Sequence, residues 1–166
     1  WKRLRDTFVA FGCCPSPEDV WLGLRGLRTM ELRLRTQEKK TLEMARWLQK
    51  RPEVLRVLHP ALPDDPGHAI WKRDFKGSSS LFSIVLKPVP HEAVEAMLNG
   101  MSLFGMGFSW GGYESLAVPF DCSDYRTATT FNPGGPCIRL QIGLETNRDL
   151  KADLAAGFRR LTKAAG

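Results

Sequence analysis

The run from Ser16 to Pro52 constrains the fold most, because one helical pattern there is longer than a small domain is wide. Ser16 suits a helix cap, Pro17 suits the first helical position, and Glu18 and Asp19 complement the positive end of the helix dipole. Apolar residues then recur at Val20, Leu24, Leu27, Met30, Leu34, Leu42, Ala45 and Leu48, a helical stripe that Pro52 ends. Gly23 and Gly26 weaken the first turns by about 1 kcal/mol each relative to alanine, which predicts a bend or a close packing there. At a rise of about 1.5 Å per residue, roughly thirty residues of helix reach about 45 Å. The expectation is a long interdomain helix that extends beyond its own domain and lacks part of its packing partner.

Downstream, short segments alternate in type. Val54 to Leu58 reads as a strand, followed by a loop punctuated by Pro60, Pro63 and Pro66. His68 to Phe75 reads as a short helix broken by Gly77-Ser78-Ser79-Ser80, and Leu81 to Leu86 is the clearest strand. Pro90 to Asn99 predicts a helix with Val94, Met97 and Leu98 facing inward and Gly100 as its terminator. Strand patterns recur at Ser102 to Met106, Glu114 to Val118 and Cys137 to Ile142, with a loop rich in Thr, Asn, Pro and Gly between the last two. Thr146 and Asp149 open a final helix whose Leu150, Leu154, Phe158 and Leu161 share a face. This alternation predicts an α/β fold, an α+β two-layer sandwich. It divides the chain into 1–51, an N-terminal segment with the long helix, and 52–166, a small α/β domain.

Composition narrows the functional classes. With 43% hydrophobic and 25% charged residues, the chain has the make-up of a soluble globular protein rather than a disordered one. No apolar run approaches the roughly 20 residues of a membrane span, and no signal-peptide pattern opens the chain, so the cytoplasm is the expected compartment and no membrane partner is expected. Cys13, Cys14, Cys122 and Cys137 have neither metal-site spacing nor disulfide density. A net charge of +6 raises nucleic acid as a partner, with basic residues clustered at Lys2-Arg3-Leu4-Arg5, from Arg25 to Arg35, and at Arg159-Arg160. No nucleic-acid motif accompanies them, and a solvated or partner-facing helical surface is the expectation. The first residue, Trp1, lies within a basic, partly apolar stretch, and a further segment before it is expected.

Two stretches carry the chemistry. In Cys137-Ile138-Arg139-Leu140-Gln141-Ile142, Arg139 interrupts an apolar strand pattern. A guanidinium buried there without an anion would be costly, and its planar fork matches a carboxylate, although strand alternation equally allows a solvated position. In Ser109-Trp110-Gly111-Gly112-Tyr113-Glu114-Ser115-Leu116, the glycine pair permits unusual backbone, Ser109 offers a hydroxyl donor, and Trp110 offers an apolar wall with one N–H. The alternative is a tight turn with Trp110 as a core anchor. His59, His68 and His91 lack the spacing of a metal pair and read as structural or exposed, so no metal site is assigned.

These stretches resemble the Cys/Met-metabolism family of pyridoxal-phosphate enzymes. In that family an Arg-Leu-x-Ile-Gly-Leu-Glu segment supplies the arginine for the substrate carboxylate, and Arg139-Leu140-Gln141-Ile142-Gly143-Leu144-Glu145 is similar to it. The segment from Ser109 to Leu116 resembles the loop lining the same pocket. Gly26-Leu27-Arg28-Thr29-Met30, His59-Pro60 and Trp71 through Ser79 also resemble family elements, whereas 119–136 aligns least. Members of the γ-synthase and γ-lyase type usually carry leucine in place of Trp110, so the resemblance favours the carbon–sulfur β-lyase side.

The resemblance implies the small C-terminal domain of a fold-type I pyridoxal-phosphate enzyme. It implies that Arg139, Ser109 and Trp110 bind an amino-acid thioether substrate. For the intact enzyme it implies a homo-oligomer that cleaves cystathionine to homocysteine, pyruvate and ammonia in methionine biosynthesis. The family places its cofactor lysine, in a Ser-x-Thr-Lys-like sequence, upstream of the region matching Trp1, along with the ring-stacking tyrosine and the aspartate that pairs the pyridine nitrogen. No position here matches them. Pyridoxal phosphate is therefore expected in the intact enzyme, held by a separate cofactor-binding domain, with no catalytic or cofactor-binding residue in this chain. The lysines, Lys72, Lys76 and Lys87 among them, read as solvated. Two alternatives stand: a free-standing interaction module without catalysis, and another trans-sulfuration enzyme of the family.

Overall fold

Thr29 interrupts the long helical pattern. In the computed structural model, which describes residues 1–166, helix α1 (Lys2–Ala10) precedes α2 (Pro17–Arg28), and α3 (Met30–Leu48) follows. The continuous helix expected from Ser16 to Pro52 is thus two helices. The Thr29 N–H and hydroxyl both donate to the Gly26 carbonyl, at 3.3 and 3.4 Å. A tight turn therefore replaces one step of the α-helical ladder, at a threonine whose hydroxyl competes for backbone and next to a glycine that weakens the helix. The start of α2 follows its sequence: the Ser16 hydroxyl accepts the Asp19 N–H at 3.1 Å, and the Asp19 carboxylate accepts the Ser16 N–H.

The chain separates into two units, Trp1–Arg33 and Leu34–Gly166, with the division inside α3. In the first unit neither α1 nor α2 buries a residue, and Trp1, Phe8, Phe11 and Trp21 are exposed. Arg25 lies 4.7 Å from the Trp21 ring centroid, a cation–π pair one turn apart. Val20, Leu24, Leu27, Met30 and Leu34 are exposed as well, so the first half of the expected stripe makes no core. The buried face of α3 is Gln37, Thr41, Met44, Ala45 and Leu48, which includes two polar residues the apolar pattern passes over.

In the second unit, strands β1 (Val54–Leu58), β2 (Leu81–Leu86), β3 (Leu116–Phe120) and β4 (Cys137–Gln141) form one antiparallel sheet in the order β1-β2-β4-β3. Helices α4 (His68–Asp74), α5 (His91–Asn99) and α6 (Asn147–Ala165) intervene or follow. Alternation sends Phe82, Ile84, Leu86, Ala117, Ile138 and Leu140 to one face, where they pack with Met97 of α5 and Leu150, Leu154 and Phe158 of α6. Each large apolar side chain buried there contributes about 1.5–3 kcal/mol. The result is the expected two-layer α+β arrangement, helices over one face of a sheet.

One expected strand is absent, and another starts later than its sequence pattern. Ser102 to Met106 is not a strand, because the Asp153 carboxylate on α6 accepts the backbone N–H groups of Ser102, Leu103 and Phe104. Only a single bridge, Gly105 to Leu116, touches the sheet. β3 begins at Leu116 rather than Glu114, and the N–H of Ser115 goes to a side chain, the Glu145 carboxylate, at 2.9 Å.

Candidate functional site

Arg139 sits at the centre of β4 on the face away from the helices, between Ser83 of β2 and Val118 of β3. Its neighbours Ile138 and Leu140 point into the core, so Cys137, Arg139 and Gln141 share the opposite face. The side chain is half-buried. Its Nη2 donates to the Phe108 carbonyl at 2.7 Å, and its guanidinium carbon lies 5.9 Å from the Phe108 ring centroid. No carboxylate pairs with it. A guanidinium with one of its donors on a carbonyl retains a fork able to grip an anion.

The segment it touches is an arch with two fixed feet. Phe108 is held by Arg139; at the other end, the Gly111 N–H donates to Gln141 Oε1 at 3.0 Å. The Gly112 carbonyl accepts from Gln37 Nε2 at 2.7 Å and Gln141 Nε2 at 3.2 Å. Gly111 has φ of +82°, a conformation that favours glycine. Between the feet stand Ser109 and Trp110, both exposed, Trp110 at 62%. Trp110 is therefore not a core anchor. The structure brings Arg139 and the Ser109–Trp110 segment together through Phe108.

Below the arch, a second layer of polar contacts fixes the chain leaving β4. The Ser115 hydroxyl donates to Glu145 Oε2 at 2.8 Å and accepts the Gly143 N–H at 2.9 Å. A Cβ on Gly143 would lie 2.2 Å from the Tyr113 carbonyl oxygen, so only glycine fits this close approach. Lys40 Nζ donates to the Gly143 carbonyl at 2.7 Å and also to that of Glu145. Burial pushes its pKa down, opposed by Glu145 and Glu43. Lys40 is thus an internal donor, against the expectation that the lysines are solvated.

Sequence reasoning missed Gln37, Lys40, Ser80, whose hydroxyl donates to Gln141 Oε1, and the supporting role of Gln141, Ser115 and Glu145. Gln141 and Ser115 lie inside the two stretches that carry the chemistry, and Glu145 ends the Arg139–Glu145 segment. Gln37 had a weaker signal, a polar residue one turn before Thr41 on what becomes the buried face of α3. The histidines are dispersed: His59 Nδ1 accepts the Ala61 N–H, His68 contacts the Pro60 carbonyl, and His91 lies 3.3 Å from Glu95. All four cysteines are free. No helix is long and apolar enough to cross a membrane.

An antiparallel sheet backed by helices on one face, with a half-buried arginine and an exposed serine–tryptophan arch on the other, defines the class: an α/β two-layer domain. The chain belongs to the family described as Cys/Met metabolism PLP-dependent enzymes, whose profile matches residues 2–159. It is 46% identical over 165 residues to cystathionine β-lyase of Salmonella typhimurium, covering 97% of this chain and 42% of that protein. It is 45% identical over 165 residues to cystathionine β-lyase MetC of Escherichia coli, again with 97% and 42% covered. Among solved structures, cystathionine γ-synthase from Xanthomonas oryzae pv. oryzae in complex with aminoacrylate and cysteine superposes with a TM-score of 0.79 at 35% identity. That match covers 93% of this chain and 41% of that one. The chain therefore spans about 42% of the length of the curated relatives it matches.

The family's cofactor is pyridoxal phosphate. A lysine that forms a Schiff base needs a free amine lone pair facing the aldehyde. Lys40, whose pKa burial lowers, instead donates to two backbone carbonyls. The open hollow of about 430 Å³ beside Phe120, Pro136 and Cys137 is lined mostly by apolar side chains and holds no lysine. Neither Lys40 nor the lining of this hollow fits a covalent pyridoxal site.

Proposed function

We propose that this chain forms the substrate-carboxylate side of a carbon–sulfur β-lyase that cleaves cystathionine to homocysteine, pyruvate and ammonia. Arg139 grips the α-carboxylate through its free donors. Ser109 donates a hydroxyl hydrogen bond to the same group, and Trp110 walls off that end of the pocket. Residues 52–166 are the carboxylate-binding domain, and 1–51 connect it to a cofactor-binding part of the enzyme. The setting is the cytoplasm and the intact enzyme is a homo-oligomer. By itself the chain is catalytically silent.

The observation that carries this reading is the 2.7 Å hydrogen bond from Arg139 to the Phe108 carbonyl, which brings an unpaired guanidinium to the foot of the exposed Ser109–Trp110 arch. Holding the carboxylate at a fixed arginine keeps the scissile bond aligned for the chemistry the cofactor supplies. The Trp110 position and the 45–46% identity to the two β-lyases support the β-lyase over other trans-sulfuration activities.

A chimera tests it. This chain replaces the matching 42% of the Salmonella enzyme, and cystathionine turnover is measured. Turnover with pyruvate formation is the expected result. Arg139→Ala in the chimera lowers kcat/KM by several kcal/mol equivalent, of order 2–5 kcal/mol for truncating a hydrogen-bonded charge partner. An unchanged kcat/KM removes Arg139 from the site.

A further inference from the structure

We propose that Gln141 and Gln37 are positioning residues that latch the Ser109–Trp110 arch over Arg139. Its purpose rests on the carboxylate-site reading above; its existence rests on the amide geometry. Gln37 Nε2 donates to the Gly112 and Ile142 carbonyls at 2.7 and 3.1 Å, and Gln141 Nε2 donates to the same two oxygens at 3.2 and 3.3 Å. Two carboxamides, one from α3 and one from β4, thus tie the loop to the end of the strand. Gln141 Oε1 at the same time accepts the Gly111 N–H and the Ser80 hydroxyl.

No ionised side chain fills the Gln141 position. The group there must donate to carbonyls and accept from an N–H and an O–H at once; a carboxylate has no donor, and an ammonium or guanidinium has no acceptor. Both glutamines are 1% exposed, so a lost partner is not replaced by bulk water. Gln141 and Arg139 stand two residues apart on one face of β4. One strand therefore holds both feet of the arch, Phe108 through Arg139 and Gly111-Gly112 through Gln141. The height of Ser109 and Trp110 above the guanidinium is fixed before any ligand arrives. That arrangement selects for a ligand whose carboxylate and adjoining apolar stem fit one set distance.

The test is Gln141→Glu in the full 166-residue chain. Protonated, the new carboxyl both donates and accepts, and the latch holds. Ionised, it confronts the Gly112 and Ile142 carbonyls without a donor, and the latch opens. Lys40 at the Gly143 carbonyl, Glu145 at Ser115, Glu38 at the Ser78 N–H, Glu114 beside the arch and Arg139 on the same strand carry charge on the elements that meet here, and the wild-type titration subtracts their contribution. NMR signals of the Gly111 amide and the Trp110 indole are followed against pH, with amide exchange corrected for its intrinsic rate. The expected result is a titration of both signals in the variant alone, with Gly111 exchange about tenfold faster in the ionised form, the scale of one net hydrogen bond. Gln37→Glu, on a helix that does not depend on this side chain for its backbone, provides the second variant and shifts the same signals. Signals that ignore pH in both variants overturn the proposal, as does unfolding of both at low pH, where the donor is restored. Failure of the chimera's turnover leaves these signals unchanged, so the two readings fail separately.

Discussion

Glu145 holds Ser115 with both oxygens of its carboxylate: Oε1 accepts the Ser115 backbone N–H at 2.9 Å and Oε2 accepts its hydroxyl at 2.8 Å. The contact joins the start of β3 to the segment after β4, across the two stretches that carry the candidate site. Ser115→Ala and Glu145→Ala should each destabilise the chain by roughly 1.5–3 kcal/mol, as expected for hydrogen bonds to a charged acceptor. Because they share one interaction, the double variant should lose less than the sum. Urea unfolding of the four proteins measures the coupling, and strict additivity would show that the two residues act independently.

Asp153 accepts three consecutive backbone N–H groups, from Ser102 to Phe104, while only 8% exposed. Asp153→Ala should cost about 3 kcal/mol by leaving these donors without an acceptor, and Asp153→Asn should cost less because its carbonyl replaces one oxygen. Chemical denaturation ranks the two. Equal losses would mean that the carboxylate's second oxygen contributes nothing.

His59 gives the stability a pH dependence of known sign. The ring is 2% exposed, packed 5.8 Å from Phe82, and burial lowers its pKa below 6.5 against the opposing pull of Asp65 and Glu38. Protonation is then easier in the unfolded chain than in the folded one. Stability from this group is complete above the unfolded pKa and is lost as pH falls from there towards the lowered folded value. His59→Asn keeps an acceptor for the Ala61 N–H and removes the titration. Between about pH 7 and about pH 5, urea midpoints should fall further for the wild type than for the variant. Parallel curves would remove His59 as the cause.

Lys40 bears on cofactor attachment. Its amine already donates to the Gly143 and Glu145 carbonyls, so borohydride reduction of the chain with pyridoxal phosphate should label no single lysine in stoichiometric amount. Peptide mapping reads the result. One dominant adduct at Lys40 would mean that these carbonyl contacts open readily.

Much of the second unit was legible because it depends on local pattern. β1 and β2 have the bounds that their apolar runs define, α6 starts at the Thr146 cap, and its four periodic apolar residues are buried. The misreadings have different physical origins: a local turn at Thr29, an uncovered apolar face, and partners distant in sequence. Ser102 to Met106 has strand-like composition, but its amides go to Asp153 about fifty residues away. The first half of the Ser16–Pro52 stripe has helical periodicity and yet buries nothing, since periodicity states which face is apolar and not whether anything covers it.

The site divides the same way. Arg139, Ser109 and Trp110 were marked by the resemblance of their segments to the family; their residue chemistry alone left a solvated arginine and a tight turn open as readings. The sequence by itself also determined the Ser16 and Thr146 caps, the runs of β1, β2 and β4, and the family. Which residues hold the arch was decided only in three dimensions. Gln37 reaches Gly112 across 75 positions and Ile142 across 105, and Lys40 reaches Glu145 across 105. Hydrogen bonds of that span leave no period or spacing in the sequence; they exist because α3 packs where the sheet leaves its polar end to be satisfied.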